Sequence, residues 1–471
     1  MEPGANSAGI CLDWVRAFAR PPVGRHAGIE AGTMRKFLYL LKHEQDSMKF
    51  LSSVCTCAMC LTFSLLNAQY DSDGLLQIEL PNVPELQKEA FSLARDGSVQ
   101  PAAEKFIEQN SVLQSPELYL YATLMYAKAG KQDVAAKTLI RSIKAGMINP
   151  AIIDKDRALD TIQTASIWTE VASLLDNIRD SLSSPANFQV SLEPLDQFFQ
   201  NTECLPDYNS DCFSSFVTAS PGAVRDYYVL VYKQVDETVQ TVRDSAAAYS
   251  QLRDLYTLGA FDSLSATVTD HILKFSNQFL EGTYPPVYLM PGVFTSGGTA
   301  SNAGLFIGVE TFLDGLVSSN GHNHDREEEL VARMVNTIFH ELMHFQQSYS
   351  GNDPSTVLYK IIEEGAATFV TTLITGGNTD RISSEFLRAE ANLNYTLDRL
   401  RNDLNSQNTK DWVYNQPEKG WPKDIGYQIG AEICRSYYLN ADDKQVALRT
   451  LLRNNDVVTI IAGSEYAYIL E

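Results

Sequence analysis

The sequence predicts a mainly α-helical protein of the α+β class, with a small β-sheet beside its helices. Apolar residues recur at helical spacing through residues 81–178 and again through residues 223–283. Two short apolar runs, Val287–Met290 and Gly304–Glu310, are bounded by glycine or proline, which is typical of strands. Long helical stretches around a few short strands indicate this fold class.

The length and composition set the domain organisation. A chain of 471 residues is too long for one ordinary hydrophobic core and predicts two or three domains. Its net charge of −21 argues against a nucleic-acid partner, because phosphates would be repelled. The predicted organisation is an N-terminal extension (1–47), a signal peptide (48–68), a helical module (80–180), an irregular linker (184–222) and a C-terminal domain (223–471).

The N-terminal region divides at Met48. Residues 1–47 lack a clear apolar period, so we expect them to be a disordered upstream extension of the reading frame. Met48–Gln69 combine one positive charge, an apolar run and a small residue before a polar stretch, which is the pattern of a secretory signal peptide. Cleavage near Ala68 would export the mature chain to the periplasm or the medium. The alternative is a buried or membrane-anchoring helix; no later stretch is apolar and long enough to span a bilayer.

The mature chain would keep three cysteines. Cys204 and Cys212 are close enough in sequence to form a small disulfide loop, whereas Cys434 is distant from both. Three unpaired thiols fit the sequence equally well. The pairing therefore stays open.

The helical module contains a pair of amphipathic stretches, Leu118–Gly130 and Asp133–Gly146, which turn at Gly130. Small residues stand at the close-packed positions of both stretches, namely Ala122, Ala129 and Ala135. The pair resembles a tetratricopeptide repeat, which implies a surface for a protein partner. The alternative is a helical packing module, because one or two repeats form little concave surface.

Residues 184–222 contain four prolines amid serine and asparagine. This composition predicts an irregular linker or the start of the next domain. Neither alternative assigns chemistry to the segment.

The main chemical motif is His340-Glu341-x-x-His344, in a stretch with apolar residues on most of its helical circumference. Four residues advance a helix by about one turn, so the two imidazoles lie on one face and can share a metal ion. Glu341 is displaced by roughly 100° around the helix and can act as a base towards water activated by the metal. The motif predicts a zinc site and metal-assisted hydrolysis.

A third protein ligand is expected on a second helix, which Asp353 would cap with Pro354 in its first position. Glu363 and Glu364 are the acids that this helix offers, and the spacing alone leaves both open. Small residues from Gly365 onward would let the helix approach the first one closely. A third histidine six residues beyond the motif would indicate another arrangement, but position 350 is serine.

His-Glu-x-x-His followed by Glu-Gly-x-Ala resembles the gluzincin metalloproteases. In that pattern the ligand is the glutamate directly before the glycine, so the resemblance implies Glu364 as the third zinc ligand. Residues 285–440 more narrowly resemble predicted zinc-dependent protease domains of otherwise unknown function. The stretches that carry this likeness, besides the two zinc helices, are Ser296–Ser301, Gly308–Glu310 and Gly426–Gly430.

Two further roles are predicted around the metal. Tyr427, in the first turn of a helix, would stabilise the negative charge that develops on the scissile carbonyl oxygen. The resemblance implies a sheet edge beside the zinc, where a peptide substrate adds as an extra strand. Leu305, Ile307 and Val309 are the predicted substrate-binding residues of that edge; an ordinary buried strand is the alternative.

Together these motifs predict an exported zinc-dependent hydrolase that acts on peptides or proteins. Glu341 and Tyr427 would be catalytic, and His340, His344 and Glu364 would bind Zn2+. The alternative is a tetratricopeptide-type binding or scaffold protein with a structural or vestigial zinc site. The intact Glu341 argues against that alternative, because a structural site needs no base.

Overall fold

A computed structural model gives the fold of this protein. It describes residues 69–70, 76–77, 79–151, 157–202, 207–313, 324–349, 353–377, 385–414, 421–454 and 456–471. The predicted extension (1–47) and signal peptide (48–68) lie outside these residues, and both stay predictions. Residues 70–471 form one unit by their contacts.

The N-terminal part is a series of helices. Short strands β1 (Gln69–Tyr70) and β2 (Leu76–Gln77) precede four helices that pack in successive pairs: α1 (Val83–Arg95), α2 (Val99–Leu113), α3 (Pro116–Lys128) and α4 (Gln132–Ala145). Ser115 caps α3 by accepting from the N–H groups of Glu117 and Leu118. The predicted pair of helices that turns at Gly130 is confirmed, whereas its tetratricopeptide resemblance stays a prediction.

Six α-helices follow among the described residues up to Asp244, most of them short. They are α5 (Arg157–Asp160), α6 (Trp168–Leu182), α7 (Glu193–Asn201), α8 (Ser210–Ala219), α9 (Gly222–Tyr227, continued by a short π-helix over Tyr228–Tyr232) and α10 (Val235–Asp244). Of the two alternatives predicted for 184–222, the irregular linker is wrong, since α7 and α8 lie there and bury apolar side chains. The start of the next domain stays a prediction. Amphipathic spacing prevailed over the proline content, because Pro194 occupies the first turn of α7, where proline is tolerated.

A four-stranded sheet lies beside the central helices. After α11 (Ala246–Thr257) and α12 (Leu264–Gln278) come β4 (Val287–Met290), β5 (Gly298–Ser301) and β6 (Gly304–Gly308), and β3 (Val190–Ser191) comes from earlier in the chain. The order is β3-β4-β6-β5, with β5 antiparallel to β6 and the other pairs parallel. Among the described strands, β3 and β5 therefore lie at the edges.

The C-terminal part begins with the two longest helices of the described residues, α13 (His324–Gln346) and α14 (Val357–Thr375), with β7 (Ser348–Tyr349) between them. They are followed by α15 (Glu390–Asp403), α16 (Ile425–Asn440), α17 (Lys444–Leu452), β8 (Arg453–Asn454) and α18 (Val458–Ala462). The start predicted for α14 is wrong. Thr356 is the cap, because Asp353 instead accepts hydrogen bonds from Ser355 in a turn.

Helices α14 and α16 cross in close contact. A Cβ atom added to Gly365 would lie 2.2 Å from the carbonyl carbon of Gly430, so glycine is required at the crossing. The small residues of α14 were expected to face the first zinc helix, but Gly365 faces α16. This contact fixes α16, and with it Tyr427, against the helix that carries Glu364.

The mainly α-helical, α+β fold class is confirmed. No helix in the described part of the chain combines the length and the apolar character needed to cross a bilayer. Cys212 is a free thiol in the structure, while Cys204 lies outside the described residues.

Candidate metal centre and cleft

Helix α13 presents His340 and His344 on one face, one turn apart. Ile338, Phe339 and Leu342, on other faces of the same part of the helix, are fully buried. The two imidazole side chains keep 13% and 19% of their surface exposed. The helix is therefore held by its apolar residues, and its two histidines open towards a cleft.

Glu364 on α14 meets both imidazoles. Its Oε2 lies 3.2 Å from His340 Nε2 and 3.1 Å from His344 Nε2, and the two Nε2 atoms are 3.0 Å apart. Four-coordinate zinc with bonds of about 2.0–2.1 Å places its ligand atoms roughly 3.4 Å apart. Two imidazole nitrogens and one carboxylate oxygen at this spacing fit a divalent metal ion, and no other group of this kind occurs among the described residues.

The electrostatics of this cluster agree with a site built for a cation. Burial opposes charge on the His344 ring, but attraction to Glu364 outweighs it and raises the pKa of His344 to about 10. Burial would raise the pKa of Glu364, and the two imidazoles instead hold this pKa well below its ordinary value. The carboxylate is thus ionised and stabilised by positive charge at its Oε2 side.

Of the two acids that the sequence offers as the third ligand, Glu364 lies beside the imidazoles and Glu363 does not. The Glu363 carboxylate pairs with Lys360, 2.6 Å away, and does not join the imidazoles. The Glu363 backbone carbonyl accepts a hydrogen bond from Gln347. The structure brings Glu364 to the histidines, as the resemblance implies.

Glu341 lies beside the three converging groups and against strand β5. The Ala300 N–H donates a hydrogen bond to its carboxylate. Burial raises the pKa of Glu341, because only 9% of the residue is exposed and attraction to the two histidines opposes this effect incompletely. A carboxylate with a raised pKa holds a proton more readily than an exposed one.

Glycine at position 298 lets β5 approach Glu341. A Cβ atom there would lie 2.7 Å from both Cγ and Oε1 of Glu341, and 2.8 Å from Cγ2 of Thr337. Any side chain at position 298 would therefore displace the Glu341 carboxylate.

Two residues that the sequence did not single out orient the candidate ligands. Gln347 Oε1 lies 2.7 Å from His344 Nδ1, so it can accept the proton of that nitrogen and leave Nε2 to face Glu364. The Tyr414 hydroxyl donates a hydrogen bond to Glu364 Oε1. Gln347 lies three residues beyond His344, a spacing that helical geometry could have indicated; Tyr414 lies in a loop with no such signal.

Tyr427 lies where the sequence placed it, in the first turn of α16. Its ring stacks on the His340 ring, with centroids 5.7 Å apart and an interplanar angle of 28°. Its hydroxyl is hydrogen-bonded to that of Tyr414. Burial, followed by repulsion from Glu364, raises the pKa of Tyr427, so the phenol is a hydrogen-bond donor at neutral pH.

A cleft of about 1160 Å3 contains these groups. Its lining includes His340, Glu341, His344 and Glu364, the whole of strand β5, and residues from the N-terminal helices. The volume exceeds the roughly 300–1,000 Å3 of most small-molecule pockets. The space suits a ligand as long as a peptide.

The edge position predicted for Leu305, Ile307 and Val309 is wrong. Strand β6 pairs with β4 on one side and β5 on the other, and these three side chains are fully buried. An apolar run signals burial on both faces, which is typical of an interior strand. The edge beside α13 is β5, whose sequence of small and polar residues gave no strand signal.

The fold and the centre define a class: a mainly helical protein in which a His-Glu-x-x-His helix and a glutamate of the next long helix converge beside a sheet edge. Residues 266–459 match the profile of a family described as predicted Zn-dependent protease (DUF2268). The match covers every residue of the centre described above and supports a zinc protease domain. No curated protein and no solved structure matches the chain.

Proposed function

We propose that this protein is a zinc-dependent peptidase whose substrate lies in the cleft along strand β5. The observation that carries the proposal is the convergence of His340, His344 and Glu364 within one cleft, with the Glu341 carboxylate free of that cluster and next to it. The matched family supports the metal and the protease class.

His340, His344 and Glu364 would hold the metal, which when bound supplies Lewis-acid chemistry by polarising a carbonyl group and making water more acidic. Glu341 acts as the base: its carboxylate accepts a proton from the attacking water and passes it to the departing amine. The Ala300 N–H fixes that carboxylate in place. The Tyr427 phenol donates a hydrogen bond to the carbonyl oxygen as negative charge develops there.

Strand β5 offers the surface for an extended substrate. The Gly308 N–H donates to the Gly297 carbonyl, so in this antiparallel pair Gly297, Thr299 and Ser301 turn their backbone groups towards β6. Gly298 and Ala300 then turn theirs towards the cleft. A peptide that adds beside β5 would present its backbone to Glu341, the residue that Ala300 already contacts.

The test begins with the purified full chain. We expect about one Zn2+ per chain by elemental analysis, cleavage of a mixed peptide library followed by mass spectrometry, and loss of cleavage in the presence of a chelator. Glu341→Gln should keep the metal and reduce hydrolysis by at least about 100-fold, since general acid–base catalysis contributes 10²–10⁴-fold. Glu329→Gln, an exposed change on the same helix, is the matched control.

Two results would contradict the proposal. Hydrolysis that survives in Glu341→Gln would remove Glu341 from its role as the base. Stoichiometric zinc without cleavage of any library peptide by the unaltered chain would favour a binding or scaffold protein with a structural metal site.

A further inference from the structure

A buried carboxylate holds the chain that leads into strand β5. Residues 291–297 join β4 to β5 and are called the β4–β5 connection below. Glu310, in the short 3-10 helix after β6, is only 1% exposed. Its Oε2 accepts a hydrogen bond from the Gly292 N–H, and its Oε1 accepts one from the Phe294 N–H, each at 2.8 Å. Hydrogen bonds to an ionised oxygen are stronger than those between neutral groups, so this carboxylate holds the connection firmly.

Two tyrosines hold the carbonyl groups of the same connection. The Tyr232 hydroxyl donates to the Pro291 carbonyl at 2.6 Å. The Tyr249 hydroxyl donates to the Gly292 carbonyl, also at 2.6 Å. Both tyrosines are buried, so water does not compete for these bonds. The β4–β5 connection is therefore held through its N–H groups by a carboxylate and through its carbonyl groups by phenols.

The β4–β5 connection fits closely around Glu310. A Cβ atom added to Gly292 would lie 2.3 Å from Oε1 of Glu310. A Cβ atom added to Gly308, at the end of β6, would lie 2.4 Å from the Ser296 carbonyl oxygen. Phe294 has a φ of 59°, which is uncommon for a residue other than glycine and persists only where the surroundings fix the backbone. Since the Glu310 carboxylate accepts from the N–H of this same residue, it is part of what fixes it.

The β4–β5 connection leads directly into the strand that contacts the proposed base. The Gly297 carbonyl accepts a hydrogen bond from the Gly308 N–H at 3.1 Å, and β5 begins at the next residue. Gly298 lies against the Glu341 carboxylate, and the Ala300 N–H donates to that carboxylate. A shift of the connection would therefore move the strand that fixes Glu341.

Glu310 is not one of the three candidate metal ligands, and it does not occur among the described residues that line the cleft. It can therefore affect hydrolysis only through the residues that it holds. The proposed base must stay within hydrogen-bond reach of the attacking water, and a misplacement of about 1 Å can cost roughly 100-fold in rate. A carboxylate that fixes β5 would thus affect the reaction without touching the substrate or the metal.

We infer that Glu310 is a positioning residue of the peptidase, which fixes strand β5 through the β4–β5 connection and thereby fixes the Glu341 carboxylate. This inference rests on the proposed function. Without the Glu310 carboxylate, the metal ligands would stay in place and the base would lose its position.

Three variants test the inference. Glu310→Gln keeps the size of the side chain but turns an NH2 group towards one of the two N–H groups, which that NH2 group cannot accept from. Tyr232→Phe removes a second bond to the β4–β5 connection. Tyr228→Phe is the matched control, because Tyr228 lies in the same π-helix and is also buried, but its hydroxyl donates to the Pro81 carbonyl.

Hydrolysis of a cleaved library peptide is measured at about pH 8, where Glu310 is ionised because burial raises its pKa to about 7. We expect Glu310→Gln to lower kcat/KM about 10–100-fold while elemental analysis still finds about one Zn2+ per chain. Tyr232→Phe should lower kcat/KM in the same direction by a smaller factor. Tyr228→Phe should change it by less than about twofold, since one lost neutral hydrogen bond elsewhere leaves β5 in place.

A double-mutant cycle with Gly298→Ala separates positioning from a general role in folding. The methyl group added at position 298 displaces Glu341 only while β5 is held against it. We expect Gly298→Ala to lower kcat/KM about 10–100-fold in the otherwise unaltered chain, and by less than about threefold in Glu310→Gln, where β5 can retreat.

Hydrogen exchange followed by mass spectrometry gives a measure that is independent of activity. We expect the amides of residues 291–301 to exchange at least about tenfold faster in Glu310→Gln than in the unaltered chain, because the β4–β5 connection opens locally. The amides of α14, which carries Glu364, should exchange at the same rate in both chains. Faster exchange in α14 as well would indicate a general loss of stability and would overturn the inference.

Two further results would overturn it. One is a pair of losses in kcat/KM that multiply in the double variant, and the other is unchanged exchange of residues 291–301 in Glu310→Gln. If Glu310→Gln does not fold, the same cycle and the same exchange comparison are made with Tyr232→Phe against Tyr228→Phe. The proposed function fails in a different way, since the unaltered chain would then bind no zinc or cleave no library peptide.

Discussion

The Tyr414 hydroxyl donates a hydrogen bond to Glu364 Oε1, while the other oxygen of the same carboxylate faces both imidazoles. The two oxygens thus have separate tasks, because one is held by the protein and the other is left for a cation. Tyr414 reaches this position with a backbone φ of 55°, which is uncommon for a residue other than glycine. Tyr414 is not one of the candidate metal ligands, but its hydrogen bond orients the Glu364 carboxylate, which is one of them.

Removing this hydroxyl should weaken the metal site. We expect Tyr414→Phe to lower the affinity for Zn2+ about 10–100-fold, as is usual when a hydrogen bond that orients a ligand is lost. Competition with a chromogenic chelator measures the affinity. Tyr395→Phe, at an exposed tyrosine, should leave it unchanged. Equal affinities for Tyr414→Phe and the unaltered chain would show that Glu364 needs no such support.

Gln347 should support His344 in the same way. Gln347→Leu removes the acceptor for the Nδ1 proton, so we expect the affinity for Zn2+ to fall about tenfold or more. Gln347→Glu keeps an acceptor and should retain most of the affinity. The affinities of the two variants for Zn2+ are compared in the same chelator competition. An equal loss of affinity in both would show that the Gln347 oxygen does not support His344.

A methyl group added at position 298 should displace Glu341, the proposed base, and leave the metal ligands in place. We expect Gly298→Ala to displace the Glu341 carboxylate and to reduce hydrolysis about 10–100-fold, with zinc content unchanged. Gly377→Ala is the matched control, since its Cβ would also meet a side chain of α13, that of Asn336, away from the metal. Activity is measured on a library peptide and metal by elemental analysis. Full activity in Gly298→Ala would show that β5 can retreat.

The crossing of α14 and α16 predicts a stability effect. Gly365→Ala would place Cβ 2.2 Å from backbone atoms, which cannot move as a side chain can, so the helices must separate. We expect a loss of roughly 1–3 kcal/mol or more in the free energy of unfolding. Thr372→Ala, an exposed change on the same helix, is the control in chemical denaturation. If Gly365→Ala unfolds with the same free energy as Thr372→Ala, the close crossing of α14 and α16 is refuted.

Glu310 predicts how stability depends on pH. Burial raises the pKa of its carboxyl to about 7, although the N–H groups of Gly292 and Phe294 donate to it. Because this pKa is higher in the folded chain than in the unfolded chain, the folded chain binds more protons between about pH 4.5 and 7. The free energy of unfolding therefore decreases as pH rises through this window, by roughly 3 kcal/mol from this group.

Glu310→Gln isolates that contribution. The variant loses the ionisable group, so its stability should change less with pH between 4.5 and 7 than that of the unaltered chain, whatever its absolute stability. Glu237→Gln, at an exposed site, should leave the pH dependence unchanged. Parallel stability curves for Glu310→Gln and the unaltered chain would contradict the raised pKa.

The sequence predicted those residues of the centre whose positions follow from the geometry of a helix. His340 and His344 had to share a face because of their spacing, and α14 had to return a glutamate to them. The helices themselves followed from apolar spacing, as in α3 and α4. Their ends were less certain, since capping by Thr356 depended on a local turn at Asp353.

The parts that it did not predict depend on tertiary pairing. An apolar run identifies a strand, but its place in the sheet depends on neighbours from distant segments, which is why Leu305 was assigned to an edge. Strand β5 has small and polar residues and exists because β6 pairs with it. Tyr414 lies 50 residues from its partner Glu364, and no periodicity connects them.

The wall of the cleft draws on residues from Glu117 to Gln428. Contacts between such distant segments form late in folding, because the chain entropy lost in closing a long loop precedes the gain from the contact. A polypeptide emerging from the ribosome presents its His-Glu-x-x-His helix before α16 and Tyr427 exist. The ring contact between Tyr427 and His340 therefore forms only after α16 has been made.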